Sequence, residues 1–362
     1  MLASDRILNY VHVAVSAAFA LWIISHDSLS DTWVSILSYA AVTSIFYGIG
    51  FNAIIRGLFR DGNFLLLLFA YLFRVLAILL IYLLAKNEIV SQEFALAPLV
   101  VVGVLTPFLS FKEKQKYLYL YLSYTILCNY LVLEFSLEDE WLDWRSMPFF
   151  LEAIIGFFFV MRHKGNRSNN RASIKNLKNI WPFAEKAVHG YVNKLSGSIE
   201  LILFSMGMLT GVDAKQLLVF NYAKGLLTKL HHPSVMRAVS NLEVKKKASI
   251  VVFDDIFWIT SCVVFIELLV FFDFVERLPL WVIAILVMRV LSHKITFILE
   301  LFGIFQGVVR RIIIVALASV AIKYLGVYST FPEYFIVLSD LFFLVYVGFM
   351  LNNWNKRYAP ST

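Results

Sequence analysis

Long apolar runs separated by short polar segments dominate this sequence. A run of about 17–25 apolar residues is long enough to cross a lipid bilayer as an α-helix. The first half of the chain contains six candidate runs, at roughly 7–25, 33–55, 64–85, 94–111, 117–135 and 147–161. The second half contains six more, at roughly 181–207, 216–235, 249–272, 279–304, 311–327 and 332–352. The pattern therefore predicts an all-α, polytopic membrane protein with about twelve transmembrane helices.

A polar, basic segment divides these runs into two groups of six. Residues 162–179 are rich in Arg, Lys, Asn and Ser. We therefore expect an N-terminal six-helix bundle over 1–165, a basic cytoplasmic linker over 166–180 and a C-terminal six-helix bundle over 181–362. Two bundles that rock about a shared central site are typical of transporters with alternating access.

The distribution of positive charge predicts the orientation in the membrane. With the N-terminus in the cytoplasm, twenty of the 32 Lys and Arg residues fall in inner segments. Five fall in outer segments, namely Lys86, Arg145, Lys215, Arg277 and Lys323. Cytoplasmic loops carry an excess of Lys and Arg, so we expect both termini to be cytoplasmic.

Composition supports the membrane class and removes several others. The chain is 60% hydrophobic and 16% charged, whereas soluble domains average about 25% charged residues. The formal charge of +7 is explained by the inner loops, so no nucleic-acid partner is expected. Neither Cys128 nor Cys262 has the spacing of a metal or redox site, and no cofactor or metal is expected. The chain has no Walker A motif, which argues against ATP hydrolysis.

Seven cations fall within the predicted crossings, where an ionisable group is costly and normally faces a bundle interior. They are Arg74, Lys186, Lys194, Lys224, Lys229, Arg289 and Lys294. The alternative for Lys186 and Lys229 is that they lie near a cytoplasmic helix end and snorkel to the surface.

Polar residues also recur at steps of three or four in three of these crossings, which places them on single helix faces. The three sets are Lys186, His189, Asn193, Ser196 and Glu200; Asn221, Lys224, Thr228 and His232; and Arg289, His293, Thr296 and Glu300. The first two predict a central cavity lined by cations. In the third, Arg289 or His293 has an alternative role in an internal ion pair with Glu300.

Three segments resemble the polysaccharide transporter branch of the multidrug/oligosaccharidyl-lipid/polysaccharide exporter superfamily, which includes the O-antigen and lipid-linked oligosaccharide flippases. The first is Tyr47-Gly48-Ile49-Gly50-Phe51 with the following Arg56. The second is VNKLSGSIELILFSMG over 192–207, and the third is Val219-Phe220-Asn221-Tyr222-Ala223-Lys224. Family members often carry an acid near the position of Glu200, usually Asp. At 362 residues the chain is shorter than many relatives.

The resemblance implies a flippase that carries an undecaprenyl-diphosphate-linked oligosaccharide from the inner to the outer leaflet. An anionic, hydrated headgroup needs a polar path with fixed positive charge in place of its water. The expected partners are this lipid-linked oligosaccharide, membrane lipid and other membrane proteins of glycan assembly. Candidate substrate-binding residues are Arg56, Arg74, Lys194, Lys224, Lys229, Arg289, Lys294, Asn193 and Asn221.

Proton or sodium coupling is expected at an acid within a crossing, since a buried carboxyl can exchange a proton. The candidates are Glu200, Asp254, Asp255 and Glu267, with Glu200 preferred. Asp254 and Asp255 have an alternative role in a surface ion-pair cluster with Lys245–Lys247.

Two other functional classes stay open. A membrane enzyme, either an O-antigen polymerase or a sugar O-acyltransferase, is also polytopic, basic and rich in aromatic residues. However, the longest outer segment, around Glu138–Ser146, is short and acidic, and no catalytic His motif stands out. We therefore expect no catalytic residues. A multidrug exporter of organic cations would require acids in its cavity, whereas the crossings here carry cations.

Overall fold

The computed structural model describes most of the chain in discrete stretches. They are 3–47, 49–61, 64–101, 104–109, 115–135, 141–165, 188, 191–192, 195, 198–209, 212–225, 253–273, 275–301, 305–326, 328–329 and 332–358. Nearly all of these residues are helical, and the described stretches contain no strand. The predicted all-α class is confirmed.

The helices of the first half follow its apolar runs. They are α1 (Ala3–Ile24), α2 (Asp27–Tyr47), α3 (Ile49–Asp61), α4 (Phe64–Lys86), α5 (Gln92–Val101), α6 (Thr106–Leu109), α7 (Gln115–Phe135) and α8 (Trp141–Gly165). The predicted run 33–55 corresponds to α2 and α3, which lie on either side of residue 48.

The helices of the second half are described less completely near its start. They are α9 (Ile199–Ser205), α10 (214–225), α11 (Phe253–Phe271), α12 (Leu280–Leu301), α13 (Phe305–Gly326) and α14 (Pro332–Tyr358). About half of the predicted crossing 181–207 and the second half of 216–235 lie outside the described residues. The last four helices match the predicted crossings from 249 onwards to within a few residues, apart from extensions at their ends.

One predicted crossing is wrong in detail. The run 94–111 was expected to form a single helix, but α5 ends at Val101 and the chain makes a turn at Val104 and Leu105 before α6. Pro107 follows the first residue of α6, where a missing backbone N–H costs little because the first helical N–H groups have no partner inside the helix. Val104 and Leu105 are buried. The Val104 carbonyl and the Leu105 N–H contact side chains in the interior of unit 1.

Helix α4 exposes large apolar side chains and buries a charged one. Its large apolar side chains Leu65, Phe69, Leu76, Leu80 and Leu83 are exposed. The opposite face buries Arg74 completely. Exposed apolar side chains around a buried ionisable group are what a helix requires when its surroundings are hydrocarbon instead of water.

Among the described residues, three stretches are long and apolar enough to cross a membrane by length and composition. They are Ile7–Ile24, Phe64–Lys86 and Glu333–Asn353. By these two criteria, candidate membrane spans lie at the start, in the first half and at the end of the chain. The total of about twelve crossings stays a prediction.

The chain forms two compact units. Unit 1 comprises Met1–Trp22 and Ser35–Lys194, and unit 2 comprises Ile23–Val34 and Leu195–Thr362. In unit 1, α4 packs against α3, α5 and α8, and α8 also packs against α5 and α7. In unit 2, α14 packs along both α12 and α13. The predicted linker over 166–180 lies outside the described residues, so the division into six plus six crossings stays a prediction.

Candidate functional site

Four ionisable side chains meet in the interior of unit 2. They come from four helices and are Glu200 of α9, Arg289 of α12, Lys323 of α13 and Asp340 of α14. Arg289 donates through Nη2 to Oε1 of Glu200, and its Nε lies 2.9 Å from Oδ2 of Asp340. Lys323 Nζ lies 2.5 Å from Oδ1 of Asp340 and 3.5 Å from Oε1 of Glu200. We call these four residues the unit 2 charge network.

Burial makes the pairing within this network necessary. The Lys323 side chain is 0% exposed, that of Glu200 2% and that of Arg289 10%. Removing a charge from water is expensive, and the cost is offset only where opposite charges and hydrogen bonds replace the lost hydration. Each oxygen of Asp340 contacts a different cation. The two acids and two cations therefore compensate one another.

A further cation lies beside this network. Lys224 of α10 interacts electrostatically with all four of its members. Its Nζ lies 5.6 Å from the ring centroid of Phe220, and the guanidinium carbon of Arg289 lies 5.4 Å from the same ring. Both distances fall within the range of cation–π attraction. With Lys224 included, three basic and two acidic side chains meet here among the described residues.

The close packing of α13 and α14 positions two members of the network. Ser319 of α13 and Ser339 of α14 have their hydroxyl oxygens 2.5 Å apart, and Ser339 also donates to the Ser319 carbonyl. Small polar residues let helix backbones approach closely within a membrane. Lys323 follows Ser319 by one helical turn, and Asp340 is adjacent to Ser339, so the seam brings their charges together.

Unit 1 contains a second buried polar group, formed around α8. Glu152 accepts a hydrogen bond from the Tyr121 hydroxyl at 2.5 Å, and that hydroxyl oxygen in turn accepts from the Leu105 N–H at 3.4 Å. Arg145 donates to Asn129 at 3.0 Å. Arg74 is within 3.5 Å of the Val104 carbonyl. We call Arg74, Tyr121, Asn129, Arg145 and Glu152 the unit 1 polar cluster.

A hollow of about 360 Å³ in unit 2 has a different character. It is lined by Asp27, Ser30, Asp31, Asp213, Ala214, Lys215, Asp273, Val275 and Glu276. Lys215 forms an ion pair of 2.5 Å with Asp27. The acids outnumber the single lysine, so this hollow is not the cationic cavity that the sequence predicts. No cluster of metal-ligating side chains is present among the described residues.

The structure brings three predicted site residues together and places others apart. Glu200 and Arg289 share the unit 2 charge network, and Lys224 lies beside it; Asn221 is half-buried one turn from Lys224. Lys294 is buried on α12, Glu267 is half-buried on α11, and Asp254 and Asp255 begin that helix. In unit 1, Arg74 is buried whereas Arg56 is exposed on α3. Asn193, Lys194 and Lys229 lie outside the described residues.

One sequence-based expectation needs correction. Arg145 and Lys323 are predicted to lie in outer segments, but both lie in helices and are buried. For Arg289 the sequence predicts a place in a cavity lining or an ion pair with Glu300. The structure shows its contacts with Glu200 and Asp340 on two other helices. Because neighbouring helices supply the acids, no spacing within α12 was able to reveal these partners.

Four charged residues of the two sites are not among the sequence-based candidates: Glu152, Asp340, Arg145 and Lys323. Glu152 and Asp340 lie within the predicted crossings 147–161 and 332–352, where any ionisable residue indicates a functional or structural site. Applying to acids the rule that identified the seven cations finds both. Arg145 and Lys323 lie at the ends of apolar runs, and hydropathy does not distinguish a loop from the last turn of a helix there.

Comparison with known proteins gives a resemblance at the level of the fold. No protein-family model matches the chain, and no curated protein matches it significantly. Among solved structures, the chain is similar to an inward-facing multidrug resistance MATE family transporter of the MOP superfamily. The match has 14% sequence identity and a TM-score of 0.47, and it covers 97% of this chain and 96% of that one. A likeness at this level assigns neither a family nor a substrate.

Proposed function

We propose that this chain is a membrane flippase rather than an enzyme. It translocates an oligosaccharide linked to undecaprenyl diphosphate across the bacterial cytoplasmic membrane by alternating access. In this proposal both termini are cytoplasmic, and the partners are the lipid-linked glycan, membrane lipid and other glycan-assembly proteins of the membrane. The transported unit is an O-antigen or a similar surface glycan.

The observation that carries the proposal is the convergence of three basic side chains in the interior of unit 2. Lys224 lies beside Arg289 and Lys323, which contact Glu200 and Asp340. Basic side chains bind an anionic ligand such as a diphosphate through charge-assisted hydrogen bonds, and they replace the water that its headgroup loses. The three basic side chains therefore favour an anionic cargo over the organic cations of a drug exporter.

The roles of individual residues follow from their contacts. Lys224 contacts the Phe220 ring and is half-buried, so we assign it to direct contact with the diphosphate. Arg289 and Lys323 are held by Glu200 and Asp340 and provide the positive field around it. Asn221 contributes hydrogen bonds to sugar hydroxyls. Arg56, Arg74, Lys194, Lys229, Lys294 and Asn193 stay candidates for the remainder of the path, and Glu200, Asp254, Asp255 and Glu267 for ion coupling.

The test is to delete the gene, extract lipid-linked intermediates and ask which variants restore surface glycan. We expect complete oligosaccharide units to accumulate on their carrier, facing the cytoplasm. Lys224→Arg should restore export, because it keeps the charge, whereas Lys224→Met should not, at equal protein levels in the membrane. Exposed Arg162 provides a matched control, and Arg162→Met should restore export fully.

Other outcomes would overturn the proposal. Single units that reach the outer leaflet but stay unjoined indicate a polymerase, and units that lack an acyl group indicate an acyltransferase. Normal glycan in the Lys224→Met strain removes the assignment of Lys224 to the anionic headgroup.

A further inference from the structure

Glu152 and Glu200 are both buried acids within predicted crossings, but their contacts differ. Glu200 is paired directly with Arg289 and Lys323. Glu152 is 2% exposed, and the side chain that donates a hydrogen bond to it is the neutral Tyr121 hydroxyl. Its other oxygen, Oε1, has no hydrogen-bond partner in the described part of the chain. Glu152 is thus a buried carboxyl without a direct ion pair to any described residue.

Two groups of forces act on this carboxyl in opposite directions. Burial and the unbonded Oε1 favour the neutral acid, because an ionised carboxylate loses its hydration there. Arg145, the Tyr121 hydroxyl, the Val104 amide and Arg74 favour the carboxylate. In Glu200, by contrast, a guanidinium and an ammonium contact the carboxylate itself, and they hold it in the charged form.

The surroundings of Glu152 can be followed helix by helix. Helix α8 packs against α4, α5 and α7. The titratable or charged groups near Glu152 are Tyr71 and Arg74 on α4, Tyr121 and Tyr124 on α7 and Arg145 on α8 itself. The buried face of α5 is apolar, with Ala95, Leu96 and Ala97, and its acid Glu93 is half-exposed at the start of the helix.

The direction of the Tyr121 hydrogen bond is also determined. The Leu105 N–H can only donate, so the Tyr121 oxygen accepts from it at 3.4 Å. The Tyr121 hydrogen is then directed to Oε2 of Glu152. Tyr121 therefore supports the carboxylate form and leaves Oε1 as the atom on which a proton can sit.

We propose that Glu152 is a proton-binding residue in the interior of unit 1, with the proton carried on Oε1. Binding the proton removes the negative charge that stands between Arg74 and Arg145 in the unit 1 polar cluster, and losing it restores that charge. Because Tyr121 and Glu152 join α7 to α8, the protonation state of Glu152 alters an interhelical contact. The proposal does not depend on which molecule the protein transports.

Infrared titration of the purified full-length protein in lipid nanodiscs tests the proposal. The wild type should show a carboxylic-acid carbonyl band that loses intensity as the pH rises, and Glu152→Gln should abolish that part of the change. Glu134 lies on α7 and is exposed, so Glu134→Gln is a matched control that should leave the band intact. A titrating band of undiminished intensity in Glu152→Gln would overturn the proposal.

A second variant separates proton binding from a general loss of structure. Tyr121→Phe removes the side-chain hydrogen-bond donor to Glu152 and keeps the ring. The carboxylate then loses support, so the midpoint of the titrating band should move to higher pH. A midpoint that stays at the wild-type value in a folded Tyr121→Phe protein contradicts the assignment, because it would show that the band does not belong to Glu152.

Discussion

At the scale of single residues, each buried acid of the unit 2 charge network contacts cations. Asp340 shares its two oxygens between Arg289 and Lys323, and Glu200 contacts the same two cations. Removing one partner from such a group leaves the others uncompensated, at a cost of about 3–5 kcal/mol. The acids of the network are therefore important for the stability of unit 2.

Glu200→Gln should destabilise unit 2 by about 3–5 kcal/mol, because Arg289 and Lys323 then lose the carboxylate that both contact. Thermal or denaturant unfolding of the purified protein in one detergent measures the change. Glu134→Gln makes the same chemical change on an exposed position of α7 and should alter stability by less than about 0.5 kcal/mol. Equal stability of the two variants would show that the network contributes nothing.

Asp143 allows a prediction about pH at the surface. The Tyr82 hydroxyl donates to it at 2.6 Å, and Lys86 contacts its two oxygens at 3.0 and 3.2 Å. These contacts lower the pKa of Asp143 below its ordinary value. A lowered folded-state pKa means that the stabilisation is complete above the ordinary value and is lost as the pH falls through the lowered one.

Asp143→Asn should therefore lower the melting temperature slightly at neutral pH, and the difference from wild type should vanish in strong acid. Melting curves over a pH series measure this difference. Asp31→Asn, at another exposed position, should not reproduce its pH profile. A difference that is independent of pH would contradict the assigned contacts.

At the scale of helices, α13 and α14 are joined along a seam of small and polar residues. Ser319 meets Ser339 and Lys323 meets Asp340. At the end of the seam, a Cβ added to Gly326 would overlap Cβ of Phe335. That neighbour is fixed to the backbone, so it cannot turn away as the tip of a flexible side chain can.

Gly326→Ala should destabilise the α13–α14 pair by about 1–3 kcal/mol, because the added methyl forces the helices apart. Gly348 lies on α14 with nothing within 4 Å of an added Cβ. Gly348→Ala should stabilise the protein by about 0.5–1 kcal/mol through helix propensity. Unfolding of both variants in detergent tests the pair, and a loss of stability at both positions would contradict the structural reason given for Gly326.

At the scale of the whole molecule, the predicted orientation rests on the distribution of Lys and Arg along the chain. Twenty of these residues fall in the predicted inner segments. Arg145 and Lys323 are buried in their units, and Lys86, Lys215 and Arg277 are the other cations of the predicted outer segments. An excess of Lys and Arg on one side is the basis for expecting cytoplasmic termini.

Thiol labelling in whole cells tests this orientation. Single cysteines are introduced at exposed Asn87, after α4, and at exposed Arg162, near the end of α8, with Cys128 and Cys262 replaced by alanine. A membrane-impermeant reagent should label the Asn87→Cys protein in intact cells, and the Arg162→Cys protein only after permeabilisation. The opposite pattern would invert the proposed topology.

The pattern of apolar runs is enough to predict the class of the protein and the positions of most helices. Apolar runs of about 20 residues favour α-helices in a membrane. Backbone N–H and C=O groups in hydrocarbon must be paired, and an α-helix pairs them within its own segment. The runs around 64–85 and 332–352 accordingly became α4 and α14. Because charges are rare within apolar runs, Arg74, Glu200 and Arg289 stand out from their positions in the sequence alone.

Which of these charges are partners depends on how the helices pack, and the sequence pattern does not show it. Glu200, Arg289, Lys323 and Asp340 span 141 positions of the chain, and helical periodicity relates residues only within one helix. The same limit hides the partners of Glu200, the preferred candidate for ion coupling. Glu200 forms ion pairs with Arg289 and Lys323 on other helices. Glu152 accepts a hydrogen bond from the Tyr121 hydroxyl, and no described cation pairs with it directly. Helix packing, which places these groups at specific distances, therefore gives two chemically similar acids different surroundings.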